Sequence, residues 1–233
     1  MLLWAICRRA CVVWEPPRRG ESTIAPILVI NPNSSERISG QIRTAVASGA
    51  EVEVVTSAAG PPAIESDADV VAAVAPMLET ARTHPADAVV VACFSDPGLD
   101  ELRRQSAVPV FGIAESAMAH ARRLGGRIGV ISSVADSLPR HRRYWDKLGV
   151  QDQVVADIPL GLGVLELDTV EAFDRARRVG LELVEAGADV VVLGCTGMTH
   201  MQGRLREVLG VPVVDPCLAA VEDARRAITK EDP

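Results

Sequence analysis

The chain has 233 residues, a formal net charge of −7 and no basic tract, so nucleic acid and anionic membranes are poor candidates for its main partners. Hydrophobic residues make up 48% of the chain, which excludes a disordered protein and allows one or two compact lobes. Aromatic residues make up only 3%, so Val, Ala, Leu and Ile must fill the core.

The first 25 residues differ in character from the rest and hold two of the three tryptophans. Their apolar run, residues 1–7, is too short to span a bilayer, and the arginines follow it, unlike the order in a secretory signal. We therefore expect residues 1–25 to be a poorly ordered extension, or the product of a start codon assigned too early. A membrane or partner anchor is the alternative.

Short, unbroken apolar runs then alternate with longer helical patterns. In the first half of the chain, strands are predicted over residues 27–30, 51–55, 88–92 and 109–112, and helices over 36–47, 65–82 and 100–105. In the second half, strands are predicted over 127–131, 153–156, 190–193 and 211–214, and helices over 114–124, 138–148, 169–186, 202–209 and 217–228.

This alternation is typical of an α/β fold, with parallel sheets covered by helices on both faces. We predict two pseudo-symmetric lobes of about four strands each: residues 26–113 with 213–233, and residues 114–212. Ligands of such sheets bind at the carboxyl ends of the strands. Asn31, Cys93, Ser132 and Cys195 all follow predicted strands, so we expect one shared site in the cleft between the lobes.

The two halves also repeat one motif around a cysteine. The segments are ADAVVVACFSDPGL at residues 86–99 and ADVVVLGCTGMTH at residues 188–200. In each, an aspartate lies six residues before the cysteine, and a VPV tripeptide follows. The repeat indicates two similar lobes that present the Cys93 and Cys195 thiols to each other.

Two facing thiols suit proton transfer at carbon. A thiolate on one face removes a proton and a thiol on the other face returns one, which inverts the centre without a cofactor. Backbone N–H groups after each strand should lower the thiol pKa from about 8.5 toward neutrality. The hydroxyls of Ser95 and Thr196 would add donors.

Each candidate also has a plainer structural interpretation. A single buried cysteine is usually a small hydrophobic residue, and this is our interpretation of Cys217. Asn31 either caps the following helix or contacts a ligand, and the same alternative holds for Ser132 and Ser133. We assign His200 to a solvent or capping role.

Three charged features are interpreted as structural. Glu65 is expected to cap the long second helix, Asp96 to organise the turn before Pro97, and the Arg142–Arg143 pair to face solvent on its helix.

The cysteines and histidines also indicate the cellular compartment and whether a metal or cofactor is expected. The five cysteines are irregularly spaced, which argues against a disulfide framework and for a reducing cytoplasm. The four histidines form no ligand pattern with them, so we expect no metal site and no cofactor. A small-molecule substrate and a symmetric homo-oligomer are expected.

Four strings in the chain resemble the aspartate/glutamate racemase superfamily and, within it, the hydantoin racemases. They are INPNSS at 30–35, GPPAIES at 60–66, ACFSDPGL at 92–99 and LGCTGM at 193–198, and the resemblance extends over residues 27–228. It implies a two-lobed α/β fold and cofactor-independent catalysis by the two cysteines of these strings. It also implies 5-monosubstituted hydantoins, or the related ureide allantoin, as substrates.

The resemblance further implies which groups hold the substrate. Asn31 and the backbone around Phe94–Ser95 and Thr196–Gly197 would bind its carbonyl and imide groups.

The chain departs from other branches of the superfamily. Amino-acid racemases usually carry Asn-Thr after the first cysteine, and glutamate racemases carry His-Tyr after the second GCT, where Phe94–Ser95 and Gly197–Met198 stand here. Free glutamate or aspartate is therefore a less expected substrate. Arylmalonate decarboxylases keep one cysteine, whereas maleate isomerases keep both. Amino-acid racemisation and maleate isomerisation remain the main alternatives, and a non-catalytic binder with buried or redox-active thiols is a third.

Overall fold

The computed structural model describes residues 27–47 and 51–230. Within them the chain forms two four-stranded parallel sheets flanked by helices, which confirms the predicted fold class. The expected extension over residues 1–25 lies outside the described residues. No helix in the described part of the chain has the length and apolar character that crossing a bilayer requires.

The first sheet is built from the first half of the chain. Its strands, in the spatial order β2-β1-β3-β4, are β1 (Ile27–Asn31), β2 (Val52–Thr56), β3 (Ala88–Val91) and β4 (Val110–Gly112). The helices of this half are α1 (Glu36–Val46), α2 (Asp67–Thr83) and α3 (Leu99–Gln105), and α4 (Ile113–Leu124) leads into the second sheet.

The second sheet repeats this topology. Its strands, in the order β6-β5-β7-β8, are β5 (Ile128–Ser132), β6 (Val154–Pro159), β7 (Val190–Leu193) and β8 (Val213–Val214). The accompanying helices are α5 (Leu138–Leu148), α6 (Val170–Glu185), α7 (Gln202–Leu209) and α8 (Pro216–Lys230). A short 3₁₀ helix, Thr196–Met201, follows β7.

Polar residues before the helices fix where the helices begin. The Ser35 side chain accepts the Ile38 N–H and caps α1. Ser66 and Asp69 form a capping box at the start of α2. The interpretation of Glu65 as the cap of this helix is therefore wrong, because Ser66 is the N-cap residue and its hydroxyl accepts the Asp69 N–H.

Strand β6 is longer than the prediction over residues 153–156. It continues to Pro159, and all its residues are only partly buried because it lies at the edge of the second sheet. A proline is tolerated there, since an edge strand has N–H positions that no neighbouring strand needs. Asp157 and Pro159 interrupt the apolar run, so the apolar pattern predicts a shorter strand.

A single apolar core joins the two sheets. It includes Val29 and Val90 from the first sheet and Val130 and Val192 from the second, all fully buried. A smaller cluster on the other face of the first sheet packs under α2 and α3. The sheets are thus held in a fixed relation by apolar packing.

The boundary between the lobes remains a proposal, and two observations bear on it. Helix α8 packs against β3 and α1 of the first lobe, but it also packs against α4, which the prediction put in the second lobe. Strand β8, however, pairs with β7, so the structure places Val213 and Val214 in the second sheet.

The strand order positions the site. In each sheet the chain reverses its winding direction between the two central strands, β1 and β3 or β5 and β7. A crevice opens at the carboxyl ends of such strands. Asn31 and Ser132 end β1 and β5, and Cys93 and Cys195 follow β3 and β7 within two residues.

Candidate active site

A cleft between the carboxyl ends of the two sheets holds both cysteines of the repeated motif. Its lining comes from loops of both lobes and from α5: Asn33, Ile64, Ala92, Cys93, Phe94, Ser95, Ser133, Val134, Ser137, Arg140, His141, Val164, Gly194, Cys195 and Thr196. Of the predicted site residues, Cys93, Phe94, Ser95, Ser133, Cys195 and Thr196 are in this lining. Asn31, Ser132 and Gly197 are buried and are not part of the lining.

Burial governs the acidity of the two thiols. Desolvation raises the pKa of Cys93 to about 11 and that of Cys195 to about 12. The donors expected from the sequence are present and act in the opposite direction: the N–H and hydroxyl of Ser95 at Cys93, and the Gly197 N–H and Thr196 hydroxyl at Cys195. The expectation of thiols with near-neutral pKa values is therefore wrong, because burial outweighs these hydrogen bonds.

The side chain of Asn31 is committed to its own turn. Its amide nitrogen donates to the Asn33 side chain, to the Ser35 carbonyl and to the Ser39 hydroxyl at 3.0, 3.2 and 3.0 Å. Its oxygen accepts the Asn33 N–H at 3.2 Å. The fully buried Asn31 shapes the turn, and Asn33, two residues later, lines the cleft.

Ser132 has a similar supporting position in the second lobe. Its hydroxyl donates to Asp157, whose other oxygen lies 2.8 Å from Nδ1 of His141. His141 reaches the cleft from α5 and packs edge-on against Phe94, with 5.4 Å between ring centroids. Ser133, the next residue after Ser132, lines the cleft.

Arg140 is a cleft residue that the sequence analysis missed. Only 10% of its side chain is exposed, although it extends from α5 of the second lobe to partners in the first. It donates to the Ser95 hydroxyl at 2.9 Å through Nε and pairs with Asp67 at 3.0 Å. The same helix carries Arg142 and Arg143, which are exposed as predicted, and Arg143 also pairs with Asp67.

The two lobes also meet at the mouth of the cleft. The Glu65 carboxylate accepts the Val164 N–H at 2.8 Å across the lobes. Val164 and Ile64, the residue before Glu65, both line the cleft. Glu65 thus joins the lobes beside the site, and its negative charge raises the pKa of Cys195.

Asp96 does more than organise the turn after Cys93. It is buried, has a left-handed φ of 43°, and accepts the Ala114 and Glu115 N–H groups at the start of α4. The Tyr144 hydroxyl from the second lobe donates to the same carboxylate at 2.7 Å. Burial raises the pKa of Asp96 to about 6. The loop that carries Cys93 is therefore anchored at its other end by Asp96.

The remaining candidates have the positions expected of them. Cys217 is fully buried in the core and absent from the cleft lining. His200 is exposed at the end of the 3₁₀ helix.

Gly194 allows the close approach of β7 to β5 just before Cys195. A Cβ there would lie 2.7 Å from the Ile131 carbonyl oxygen, a backbone atom that cannot move aside. We expect Gly194→Ala to destabilise the fold by about 2 kcal/mol and to displace Cys195, since overpacking typically costs about 1–3 kcal/mol. Gly203→Ala is the matched control, because nothing lies within 4 Å of its Cβ. Urea denaturation and activity assays on both variants check this, and equal stability of the two would contradict it.

The comparisons with known proteins identify the family of the chain. The family model described as Asp/Glu/Hydantoin racemase matches residues 27–224. The chain belongs to this family. It is therefore an isomerase of the racemase type, which confirms the predicted enzyme class.

Individual relatives cover nearly the whole racemase chain. It is 34% identical over 217 residues to the hydantoin racemase of Paenarthrobacter aurescens, covering 87% of this chain and 90% of that one. The hydantoin racemase of Rhizobium meliloti is 35% identical over 210 residues, covering 85% and 86%. The solved allantoin racemase of Klebsiella pneumoniae superposes with a TM-score of 0.81 at 30% identity, covering 88% of each chain.

Proposed function

We propose that this racemase interconverts the enantiomers of 5-monosubstituted hydantoins or of allantoin, with Cys93 and Cys195 as the two proton-transfer groups. The observation that carries the proposal is the presence of both cysteines in one cleft, each beside its own N–H and hydroxyl donors. The hydantoin and allantoin racemases among its relatives support the substrate class.

The chemistry requires one thiolate and one thiol at the start. The thiolate takes the proton from C5 of the ring, and the electron pair of the C–H bond moves into the adjacent carbonyl as an enolate. The thiol on the opposite face then gives its proton to C5, and the electron pair returns from the oxygen. The two cysteines have exchanged protonation states, so the reverse reaction uses them in the opposite roles.

We assign substrate contacts to groups that line the cleft. Phe94, Ser95, Ser133 and Thr196 keep the substrate contacts that the sequence suggests, whereas Gly197 is absent from the lining and donates its N–H to Cys195. Asn33 takes the role first given to Asn31, and Ser132 becomes the support of His141 through Asp157. The cytoplasmic location and the homo-oligomeric state stay predictions from the sequence.

Substitutions of the two asparagines in the turn after β1 should have different effects on stability and on substrate binding. Asn31→Ala removes the four hydrogen bonds that this buried side chain makes and should lower the free energy of unfolding by about 2–3 kcal/mol. Asn33→Ser should instead raise KM about tenfold with a smaller change in stability, because Asn33 lines the cleft and its side-chain oxygen accepts two hydrogen bonds in the turn, where Asn31 makes four. Urea denaturation and steady-state kinetics on the two variants test this assignment. A larger KM effect at position 31 would reverse it.

A circular dichroism time course tests the proposed activity. Enantiopure 5-alkylhydantoin and enantiopure allantoin are each incubated with the protein, beside parallel reactions with L-glutamate and L-aspartate. Maleate and its product fumarate are achiral, so a parallel reaction with maleate is followed by proton NMR. We expect the signal of a ring substrate to decay to zero faster than the spontaneous rate. Turnover of a dicarboxylate without turnover of either ring would instead establish the alternative, an amino-acid racemase or maleate isomerase that uses the same cysteine pair.

A further inference from the structure

The surroundings of the two cysteines differ in charge although their local motifs repeat. Cys93 has the guanidinium of Arg140 nearby, which lowers its pKa against the larger effect of burial. Cys195 instead has the Glu65 carboxylate nearby, which raises its pKa further. The repeat in the sequence therefore conceals an asymmetric site.

Arg140 acts on Cys93 through Ser95. A serine hydroxyl has one proton to donate and lone pairs that accept. Because the Arg140 Nε–H donates to the Ser95 oxygen at 2.9 Å, the hydroxyl accepts on that side and its own proton is free for another acceptor. Ser95 lines the cleft beside Cys93, and its side chain lowers the pKa of that thiol. The corresponding hydroxyl at Cys195, that of Thr196, has no such cation among the described residues that set the Cys195 pKa.

Arg140 is held firmly enough to perform this role. Its terminal nitrogens donate to the Asp67 carboxylate at 3.0 Å and to the Glu65 carbonyl at 3.5 Å, both in the first lobe. With only 10% of the side chain exposed, the guanidinium has little freedom to turn toward solvent. An arginine suits this position because its planar donors can engage three acceptors at fixed angles.

We propose that Arg140 is a positioning residue for Cys93, which holds the Ser95 hydroxyl with its proton directed at the Cys93 sulfur and so supports the Cys93 thiolate selectively. The inference builds on the proposed function, in which Cys93 must act as a thiolate for one of the two enantiomers. It also gives the second lobe a direct part in the chemistry of the first lobe's cysteine.

Other charged and titratable groups also face the two thiols. Asp96 lies on the same loop as Cys93 and raises its pKa, and Cys93 raises that of Cys195 across the cleft. His141 lines the same cleft from α5. None of these groups bonds to the Ser95 hydroxyl in the described structure, so a test that isolates the Arg140–Ser95 pair isolates the proposed effect.

The test measures the thiolate of each cysteine without using substrate. The full-length protein is treated with a limiting amount of iodoacetamide at pH 8, and alkylation of the Cys93 and Cys195 peptides is followed separately by mass spectrometry. Because only the thiolate reacts, the rate reports its fraction. We expect Arg140→Gln to slow alkylation of Cys93 about tenfold, the change that one pKa unit produces, without slowing Cys195.

Two further variants separate positioning from general structure. Arg143→Gln removes the neighbouring ion pair with the same Asp67 but does not touch Ser95, so it should leave the Cys93 rate within about twofold of the wild type. Ser95→Ala should slow Cys93 as Arg140→Gln does, and adding Arg140→Gln to Ser95→Ala should slow it little more. Circular dichroism spectra show whether each variant is folded. If Arg140→Gln does not fold, Ser95→Ala alone still tests whether the Ser95 hydroxyl supports the Cys93 thiolate.

The inference is overturned if Arg140→Gln leaves Cys93 unchanged, if Arg143→Gln has an equal effect, or if the two changes at Arg140 and Ser95 act independently. These outcomes do not depend on the substrate. A protein that fails to racemise hydantoins but shows the Cys93-selective effect would refute the proposed function and keep the role of Arg140.

Discussion

Replacing either Cys93 or Cys195 by serine is expected to lower the rate of hydantoin racemisation by at least about 10³-fold, within the range that a positioned acid or base contributes. A serine hydroxyl is far less acidic than a thiol and cannot supply the base at neutral pH. Each cysteine serves a different face of the substrate, so the remaining cysteine cannot replace the missing one. The rates are measured by polarimetry or circular dichroism on both enantiomers.

The third described cysteine provides the control. Cys217 is fully buried, is absent from the cleft lining and packs as a small apolar residue, so Cys217→Ala should keep the racemisation rate within about twofold. A Cys93→Ser or Cys195→Ser enzyme with more than about a tenth of the wild-type rate would contradict the two-cysteine mechanism, because loss of an acid–base group costs more than that.

The second large effect is the dependence of activity on pH. With the Cys93 pKa near 11 and the Cys195 pKa near 12, both thiols are protonated at neutral pH. The form with one thiolate therefore increases about tenfold for each pH unit below the first pKa. We expect kcat/KM to rise about 100-fold between pH 6 and pH 8, after subtraction of the uncatalysed rate.

A pH profile without this rise would change the conclusion about the acidity of the thiols. A plateau or a maximum of kcat/KM near pH 7 would show that one thiolate is already formed in the working enzyme. The N–H and hydroxyl donors would then outweigh burial, as the sequence alone suggested. Asp96, with a pKa near 6, also titrates in this range, and Asp96→Asn provides the control for its contribution.

The fold could be predicted from the sequence because its signals are local. Buried parallel strands read as unbroken apolar runs, and β7 and the helices α5 and α7 have the predicted bounds. The repeated motif also put Cys93 and Cys195 into one cleft, since both follow strands at the switch points of their sheets. The length of the edge strand β6 was underestimated because Asp157 and Pro159 interrupt its apolar run.

The rest of the site depends on contacts between distant segments. Arg140 lies in LPRHRRYWDKL, where the charges suggest a helix exposed to solvent, and nothing local shows that one arginine reaches Ser95 in the other lobe. Amphipathic spacing offered a partial signal, because Arg140, His141 and Trp145 are the buried residues of that helix. A position at the end of a strand likewise does not show whether Asn31 or Asn33 lines the cleft. The hydrogen bonds of the turn determine which of the two side chains does.

The pKa values of the two thiols could not be predicted from the sequence for a related reason. Hydrogen-bond donors next to a cysteine can be read from neighbouring residues, whereas desolvation depends on how completely the opposite lobe covers it. Segments around Val164 and Arg140, far from either cysteine in sequence, help to close the cleft. Their effect on the pKa values of Cys93 and Cys195 requires the three-dimensional structure.

The central claim, that two cysteines work on opposite faces of one carbon, is tested most directly by isotope incorporation early in the reaction. An enantiopure 5-alkylhydantoin is incubated in D₂O, the reaction is stopped below about a tenth of full conversion, and the separated enantiomers are analysed by mass spectrometry. With two bases the product must carry deuterium at C5, while the remaining substrate keeps its hydrogen. Deuterium in the recovered substrate at the same rate, or a product that retains the original hydrogen, would contradict the mechanism and point to a single base.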